Sequence, residues 1–179
     1  MALNYTSFET ERLIIRPTSE EDAVFVYHLM NTPKWLKYIG DRNVKSVATA
    51  KQYINKKMRP QLHRLGYSNF TVIKKADNQK IGTCGLFDRE GLEGIDLGFA
   101  FLPAFEKKGF AFESSERLIR AAFENYEIKT LSAITAKDNI SSQKLLQRLE
   151  FNLIGTTKIV NDPNEILLYQ LDNMNSDDI

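Results

Sequence analysis

Hydrophobic residues along this 179-residue chain recur at two spacings, and each change of spacing marks a predicted element. Alternation at Leu13–Pro17 predicts a strand. After it, the apolar residues Ala23, Val26, Tyr27 and Met30 lie at the spacing of one helix face. The chain is therefore expected to begin with a strand followed by an amphipathic helix.

Polar and proline residues predict where the helices of the first half begin and end. Ser19 precedes three acidic residues, which is the pattern of a helix start. Pro33 should end that helix, because proline disfavours helical geometry in the preceding Thr32. A second helix is expected over residues 46 to 65, which Pro60 should kink or split so that a short final turn remains.

Strands dominate the rest of the chain. The expected strands cover residues 69–74, 80–87, 95–101, 131–135, 151–159 and 165–171, and the expected helices cover residues 112–123 and 143–149. Antiparallel hairpins followed by a β-α-β crossover predict a mixed α/β fold, with one strongly twisted, mostly antiparallel sheet and helices on both faces. We expect a single domain over residues 1 to 173 and a frayed tail over residues 174 to 179.

Composition narrows the possible functions. The 24 basic and 23 acidic side chains nearly cancel, so the chain has no overall attraction for nucleic acid or an anionic membrane. Its apolar stretches are too short for a membrane span or a signal core, which predicts a cytoplasmic protein. The single cysteine, Cys84, excludes an internal disulfide and is expected to be buried and unreactive. His28 and His63 lie far apart, so no metal site is predicted.

Candidate chemistry lies in two turns that each join a strand to a helix. In the first, Gly109 follows two lysines and opens a helix, so free backbone N–H groups and positive charge meet at a site suited to phosphate. An ordinary solvated turn would look the same, and this segment alone leaves the two interpretations open. In the second turn, Asn139 and Ser142 begin a helix that ends just before Phe151.

Together the two turns resemble the acetyl-CoA site of the Gcn5-related N-acetyltransferases, the GNAT superfamily. The superfamily's pyrophosphate turn, Gln/Arg-x-x-Gly-x-Gly/Ala, is similar to residues 106–111, which read Glu-Lys-Lys-Gly-Phe-Ala. Its second signature, Asn-x-x-Ser before a leucine-rich helix and Lys/Arg-Leu-Gly-Phe, is similar to residues 139–142 and 148–151. Residues 8–17 resemble the opening of the RimJ/RimL-type branch, which acetylates ribosomal-protein N-termini. The resemblance covers essentially the whole chain.

Two residues depart from the family pattern. Glu106 stands where Gln or Arg is usual, which places an acidic side chain at the edge of the phosphate site, although backbone N–H groups can still bind there. Glu150 replaces the glycine before Phe151, where we expect only a local backbone adjustment at the helix end.

The resemblance implies that acetyl-CoA is the acetyl donor and that an amine is the acceptor. The pantetheine arm would pair with a strand backbone between two splayed strands, and the pyrophosphate would rest on the glycine turn. The residues implied for cofactor binding are Phe99, Ala100, Phe101, Leu102, Lys107, Lys108, Gly109, Phe110, Ala111, Asn139 and Ser142.

Acetyl transfer to an amine also needs a group that accepts a proton and a group that protonates the departing thiolate. Asp96 matches the family's Glu/Asp-x-Gly-aromatic pattern and is the candidate base; alternatively it orients substrate or faces solvent. Asp88 and Glu90 are less favoured as bases, because their hairpin is expected to lie too far from the thioester. Ser142 is the candidate acid by resemblance to the ribosomal-protein acetyltransferases; alternatively its hydroxyl caps a helix. An α-amine with a pKa near 8 is neutral about one time in five near pH 7.4, so it needs only modest help from a base.

Trp35, Tyr38 and Asp41 are the candidate acceptor-binding residues, because the family's loop in this region walls the acceptor cleft. The two aromatic side chains would supply contact area and Asp41 would attract a cationic amine; alternatively the segment only packs on the core.

The favoured function is acetylation of a protein N-terminal α-amine, as in ribosomal proteins. Polyamines, amino acids and antibiotics are the other acceptors considered. A non-catalytic acyl-CoA sensor is a second hypothesis, for which Glu106 is the supporting feature. The choice between a monomer and a homodimer stays open.

Overall fold

The computed structural model describes residues 5 to 160 and 162 to 173. Within this part of the chain, eight strands form one sheet in the order β1-β2-β3-β4-β5-β6-β8-β7. The strands are β1 (Phe8–Glu9), β2 (Leu13–Pro17), β3 (Asn69–Lys74), β4 (Gln79–Asp88), β5 (Ile95–Phe101), β6 (Thr130–Thr135), β7 (Asn152–Thr157) and β8 (Ile166–Asp172). Neighbouring strands are antiparallel except β5 and β6, which run parallel. The predicted mixed, mostly antiparallel sheet is confirmed.

Helices cover both faces of this sheet, as predicted. They are α1 (Ala23–Met30), α2 (Pro33–Tyr38), α3 (Val47–Tyr53), α4 (Arg59–Leu65), α5 (Phe110–Glu124) and α6 (Ile140–Arg148). Leu118 of α5 and Leu146 of α6 join the larger core cluster. Val26 of α1 and Ala50 of α3 join a smaller cluster, into which Ala100 of β5 packs from the sheet.

The end of α1 differs from the prediction in one respect. The helix stops at Met30, before Pro33, as expected. However, Pro33 also opens α2, because proline fits the first turn of a helix, and the hydroxyl of Thr32 accepts a hydrogen bond from the N–H of Trp35 at 3.4 Å. A short helix therefore occupies a segment that was expected to be a loop.

The helix expected over residues 46 to 65 is divided. α3 and α4 are joined by a π-helical segment, Ile54–Met58, and Pro60 lies in the first turn of α4. Proline has no N–H group and its ring clashes with the preceding turn of a regular helix, so the wider π turn accommodates it. Of the two expected outcomes, a kink or a split, the helix shows the split.

β5 and β6 separate soon after they meet. Their pairing includes only Ile95 with Leu131 and Asp96 with Ser132, although β5 continues to Phe101. β6 meanwhile stays paired with β8 along its whole length. A gap therefore opens within the sheet, as the expected splay of two strands requires.

Two expectations about single residues are confirmed. Cys84 is fully buried, and burial raises the pKa of its thiol to about 11, so the thiol stays protonated and unreactive near neutral pH. Glu150 takes a left-handed conformation with a φ angle of 67° just beyond α6, which is the local adjustment expected where the family has glycine.

No helix among the described residues is long and apolar enough to cross a lipid bilayer. The tail expected over residues 174 to 179 lies outside the described residues.

Asp22 is a fully buried carboxylate at the start of α1. Arg16 donates two hydrogen bonds of 2.8 Å to its oxygens, Lys80 forms an ion pair at 2.7 Å, and the hydroxyl of Thr71 donates at 2.9 Å. The N–H of Ser19 donates a further bond at 2.9 Å. Ser19 opens a 3-10 turn, Glu20–Asp22, rather than the α-helix predicted to start there, and α1 begins at Ala23. Burial alone would raise the pKa of Asp22, but the hydrogen bonds outweigh burial and lower the pKa to about 2.

Asp22 should make the protein sensitive to acid. Its pKa falls from 3.8 to about 2 on folding, so its ionised form stabilises the fold above about pH 4, by about 2.5 kcal/mol. This contribution is lost as the pH falls from about 4 to about 2. We expect Asp22→Asn to lower the free energy of unfolding by about 3 kcal/mol at pH 7, because two cations lose their partner. By about pH 3 the difference from the wild type should shrink by about half in urea denaturation.

Glu21→Gln is the control, because Glu21 is exposed and lies next to Asp22 in the chain. It should change stability by less than about 0.5 kcal/mol at both pH values. A loss for Asp22→Asn that is the same at both pH values would contradict this account of the buried carboxylate.

Candidate active site

A cavity of about 630 Å³ lies at the gap between β5 and β6. Its lining includes Gly109, at the start of α5, and Asn139 and Ser142, at the start of α6. The same lining includes Asp96 and Arg89. The two turns predicted to bind the cofactor and the candidate base, Asp96, therefore line the same cavity.

The turn before α5 has the backbone shape of an anion-binding site. Lys107 and Gly109 have positive φ angles of 58° and 83°, and Gly109 directly precedes α5. Left-handed residues in a turn direct successive backbone N–H groups toward one concave surface, and the first N–H groups of a helix have no partner within it. The turn thus offers several N–H donors to a phosphate group.

Arg12, which the sequence analysis did not select, holds this turn in place. Its guanidinium donates to the carbonyl of Lys108 at 3.1 Å and to the carboxylate of Glu113 at 2.6 Å. It also lies 4.4 Å from the centre of the Phe110 ring. The segment before β2 is thereby fastened to the first turn of α5. The opening motif contained Arg12, but no local pattern indicated its partners.

Glu106, the acidic departure in this turn, is paired with a cation. Nζ of Lys34 lies 3.1 Å from its Oε1, and both residues line the cavity. Because Lys34 belongs to α2, the ion pair also connects α2 to the glycine turn. The negative charge of Glu106 therefore opposes a bound phosphate less than an unpaired carboxylate would.

The start of α6 is capped by Asn139. Its Oδ1 accepts hydrogen bonds from the N–H of Ser142 at 3.3 Å and from the hydroxyl of Ser141 at 3.2 Å. Among the described residues, none forms a hydrogen bond with the hydroxyl of Ser142, which is the atom that the capping alternative required. Ser142 lines the cavity with this hydroxyl uncommitted.

The edge of β5 that faces the gap is open. Beyond Asp96, no described strand pairs with this edge, so its N–H and C=O groups are available to an extended ligand. Phe99, Ala100 and Phe101 line the cavity, whereas Leu102 packs against the smaller core cluster.

The structure places four predicted site residues outside the cavity lining: Leu102, Lys108, Phe110 and Asp41. Phe110 is 7% exposed and belongs to the larger core cluster. Asp41 is exposed and forms an ion pair of 2.7 Å with Lys45. The other predicted site residues all line the cavity.

Asp96 lies at the last pairing between β5 and β6 and is 1% exposed. Arg89 donates Nε to Oδ1 at 3.1 Å and Nη2 to Oδ2 at 3.2 Å. Burial raises the pKa of Asp96, and the positive charge of Arg89 only partly offsets this effect. Asp96 is thus a stronger base than a carboxylate in water. No sequence motif indicated Arg89, which lies in the turn after β4.

Phe87 forms a flat apolar surface beside Asp96. A Cβ atom on Gly85 would lie 2.5 Å from the Phe87 ring, and one on Gly98 would lie 2.8 Å from it, so the ring lies directly on these two glycines. Phe87 is the partner of Asp96 across β4 and β5, and Gly85 is the partner of Gly98. The glycines make room for a ring that forms part of the cavity lining next to the carboxylate.

α2 forms part of the cavity wall. Trp35 and Tyr38, which were predicted to bind the acceptor, line the cavity. Lys37 forms an ion pair of 2.9 Å with Asp138, which precedes the cap of α6. Since Lys34 pairs with the glycine turn, α2 is connected to both turns.

Arg42 and Lys57 add positive charge to the lining, together with Tyr53. The same three residues line a smaller neighbouring groove. No acidic side chain of the described residues forms an ion pair with Arg42 or Lys57. Asp162 also lines the cavity.

Comparison with known proteins assigns the class. A family model described as an acetyltransferase (GNAT) domain matches residues 12–152. The chain is 31% identical over 149 residues to the uncharacterized N-acetyltransferase p20 of Bacillus licheniformis, with 82% of each chain covered. It is 24% identical to the uncharacterized N-acetyltransferase YnaD of Bacillus subtilis, over 83% of this chain and 84% of YnaD. The protein is an N-acetyltransferase. It belongs to the GNAT family of these enzymes.

Solved structures share the fold. An acetyltransferase from Agrobacterium tumefaciens superposes with a TM-score of 0.80 at 20% identity, covering 97% of this chain and 98% of its own. The ribosomal-protein-S5-alanine acetyltransferase of Vibrio fischeri gives a TM-score of 0.78 at 20% identity, covering 95% and 98%. RimL, a ribosomal L7/L12 alpha-N-protein acetyltransferase in complex with coenzyme A, gives 0.78 at 18% identity, covering 93% and 98%.

The cavity fits coenzyme A, the acyl carrier of this family. The turn at Gly109 offers N–H donors of the kind that bind a pyrophosphate, and the open edge of β5 offers backbone groups to an extended pantetheine arm. Among the described residues, no group of three or more His, Cys, Asp or Glu side chains is arranged to hold a metal ion.

Gly109→Glu should prevent the binding of coenzyme A, because it places bulk and negative charge where the pyrophosphate would contact the turn. We expect a loss of affinity of at least about 100-fold in isothermal titration calorimetry. Gly66→Glu is the matched control. Gly66 has a φ angle of +82°, close to the +83° of Gly109, so the control carries the same backbone strain and charge outside the cavity. It lacks only the contact of 3.2 Å that a Cβ on Gly109 would make with Nη2 of Arg12. Equal affinities of the two variants would exclude this turn as the pyrophosphate site.

Proposed function

We propose that the protein transfers the acetyl group of acetyl-CoA to the α-amine of a protein N-terminus. The observation that carries the proposal is the continuity of the cavity, whose lining includes both the turn at Gly109 and the buried carboxylate of Asp96. A donor bound at the turn and an amine held at the carboxylate would therefore share one cavity. The proposal keeps the cytoplasmic location expected from the sequence.

Backbone groups would do most of the donor binding. In the proposal, the N–H groups of residues 107–111 bind the pyrophosphate, and the open edge of β5 near Phe99 pairs with the pantetheine arm. Asn139 has its Oδ1 committed to the cap of α6, so its Nδ2 is the group that it offers to the arm. Acetyl-CoA supplies an activated acyl group in the form of a thioester.

Asp96 is proposed to accept the proton that the amine must lose, directly or through a water molecule. Its raised pKa makes it a better base, and the paired Arg89 keeps the carboxylate in a fixed orientation. Arg89 contacts both oxygens and partly offsets burial, so the pKa of Asp96 is raised less than burial alone would raise it. An α-amine, already partly neutral near pH 7.4, is the acceptor that such a base suits.

Ser142 is proposed to protonate the leaving sulfur. As the new N–C bond forms and the C–S bond breaks, its hydroxyl would donate a proton to the thiolate. The uncommitted hydroxyl supports this role, because Asn139 rather than Ser142 caps the helix. The proton taken by Asp96 passes to solvent, and solvent reprotonates Ser142.

The charges around the cavity favour an acceptor that carries a carboxylate beyond its amine, such as a polypeptide, over a polyamine. Arg42 and Lys57 would repel a second ammonium group and attract a carboxylate farther along the acceptor. Trp35 and Tyr38 are the proposed aromatic walls of the acceptor cleft. Two solved structures with this fold are named for acetylation of ribosomal proteins S5 and L7/L12, which is the class of acceptor proposed here.

The alternative of a non-catalytic sensor loses its supporting feature. Glu106 was the residue expected to weaken donor binding, and its carboxylate is paired with Lys34. Membership of the acetyltransferase family favours the catalytic function in addition.

The test of this function is release of free thiol from acetyl-CoA near pH 7.4 with three amines. The first is a lysine-free peptide with an open N-terminus, the second an N-terminally blocked peptide with one lysine, and the third spermidine. We expect the first to react at least about 100-fold faster, because far more of its amine is neutral. Mass spectrometry locates the added acetyl group, and Gly109→Glu serves as the inactive control. Release with the blocked peptide or spermidine but not with the open peptide would reject the proposed acceptor.

Asp96→Asn should lower kcat/KM for the open peptide by about 10-fold to 100-fold near pH 7, and by only a few fold near pH 9. The difference arises because an α-amine is mostly neutral at the higher pH and no longer needs the base. Asp88→Asn is the matched control, since Asp88 is a more exposed carboxylate paired with Arg64 at 2.6 Å. A loss for Asp96→Asn that is uniform across pH would assign Asp96 to substrate positioning instead.

A further inference from the structure

Asn69, the first residue of β3, lines the cavity and is 6% exposed. No sequence motif singled it out, and the roles proposed above do not use it. Its side chain begins a chain of hydrogen bonds that leads away from the cavity into the smaller core. The direction of those bonds determines which atom of the Asn69 amide remains for a ligand.

Three hydrogen bonds connect Asn69 to the buried carboxylate of Asp22. Nδ2 of Asn69 donates to the hydroxyl oxygen of Thr18 at 2.8 Å. The hydroxyl oxygens of Thr18 and Thr71 lie 2.9 Å apart, and the hydroxyl of Thr71 lies 2.9 Å from Oδ2 of Asp22. Each of these four residues is more than nine-tenths buried.

The charge on Asp22 dictates the direction of every bond in this chain. An ionised carboxylate only accepts, so Thr71 must donate its single hydroxyl proton to Asp22. Thr71 can then only accept from Thr18, which uses the one proton of the Thr18 hydroxyl. Thr18 is left with a lone pair for Asn69, so the NH₂ group of the Asn69 amide must be the side that faces Thr18.

The amide oxygen of Asn69 is therefore the polar atom left for the cavity. No described residue donates a hydrogen bond to this Oδ1. The atom is not fully enclosed by the protein, so a ligand in the cavity can reach it. Because the carboxylate holds the orientation through two threonines, the amide cannot turn over without breaking a buried hydrogen bond.

Asn69 lies on the same sheet as Asp96, two strands away from it. Asn69 pairs with Gly85 on β4, and Gly85 pairs with Gly98 on β5, so the three residues form one row across the sheet. Two strand spacings of about 4.8 Å place the backbone of Asn69 roughly 10 Å from that of Gly98. Gly85 and Gly98 have no side chains, and the ring of Phe87 lies on them. An acceptor lying on this ring has Asp96 near one end and Asn69 near the other.

We propose that Asn69 is an acceptor-binding residue, whose Oδ1 accepts a hydrogen bond from an N–H group of the acceptor next to the reacting amine. Thr18 and Thr71 are positioning residues that act through it. The class of ligand follows: the acceptor carries a second N–H donor, such as the first peptide N–H of a polypeptide. This inference rests on the proposed function, because it concerns the acceptor of that reaction.

The kinetic test uses two probes, the lysine-free peptide with an open N-terminus and glycinamide, a small α-amine with an amide N–H. Asn69→Ala should raise KM for the probe that is acetylated by about 10-fold, through loss of one hydrogen bond, with little change in kcat or in coenzyme A affinity. An unchanged KM for Asn69→Ala would overturn the inference.

Two substitutions at Thr71, which does not line the cavity, test the positioning role. Thr71→Val frees the hydroxyl of Thr18 to donate toward Asn69, so the amide loses its preferred orientation. We expect KM to rise about 3-fold to 10-fold. Thr71→Ser keeps the hydroxyl and should restore the wild-type KM. If both variants raised KM equally, packing rather than hydrogen-bond direction would explain the effect.

A spectroscopic readout separates this inference from the proposed function. The side-chain NH₂ signal of Asn69, assigned by its loss in Asn69→Ala, should exchange slowly with solvent in the wild type and quickly in Thr71→Val. Fast exchange of this NH₂ group in the wild type would show that the Asn69 amide is not held in the proposed orientation, and would overturn the inference whatever the acceptor is. A slow signal together with an unreactive peptide and a reactive glycinamide would reject the protein acceptor while supporting Asn69.

Discussion

The early separation of β5 from β6 is the constraint on which the rest of the site depends. Two parallel pairings bring Asp96 into the interior, whereas continued pairing would occupy the backbone groups of β5 that face the gap. The sheet remains intact because each of the two strands keeps its other neighbour, β4 for β5 and β8 for β6. An opening within a sheet is thus obtained without leaving a strand unsupported.

Charged side chains around this opening have two different effects, depending on whether they are exposed or buried. The pairs Lys34–Glu106 and Lys37–Asp138 are partly exposed, so each contributes little free energy, and their effect is to hold α2 against the two turns. Asp22 is fully buried, and its partners must satisfy it completely. The buried charge of Asp22 therefore orients the side chains hydrogen-bonded to it, such as Arg16 and Thr71. The two exposed pairs hold α2 against the turns before α5 and α6.

The sequence predicted most of the fold, because strand and helix periodicity is a local property. It also predicted the glycine turn, since a helix start and a left-handed glycine are recognised within a few residues. It did not predict Arg12, whose partner Glu113 lies 101 positions away, or Arg89, whose link to Asp96 depends on strand register. α2 was missed because proline both ends one helix and begins another, and local rules do not decide between them.

Phe87 has a consequence for how enzymes of this design diverge. Its ring fits only because Gly85 and Gly98 lack side chains, so a change at one of the three positions alters what the other two tolerate. A smaller residue at position 87 would deepen the cavity there, and a methyl group on either glycine would push the ring toward the cavity. These three positions are therefore expected to covary among related chains.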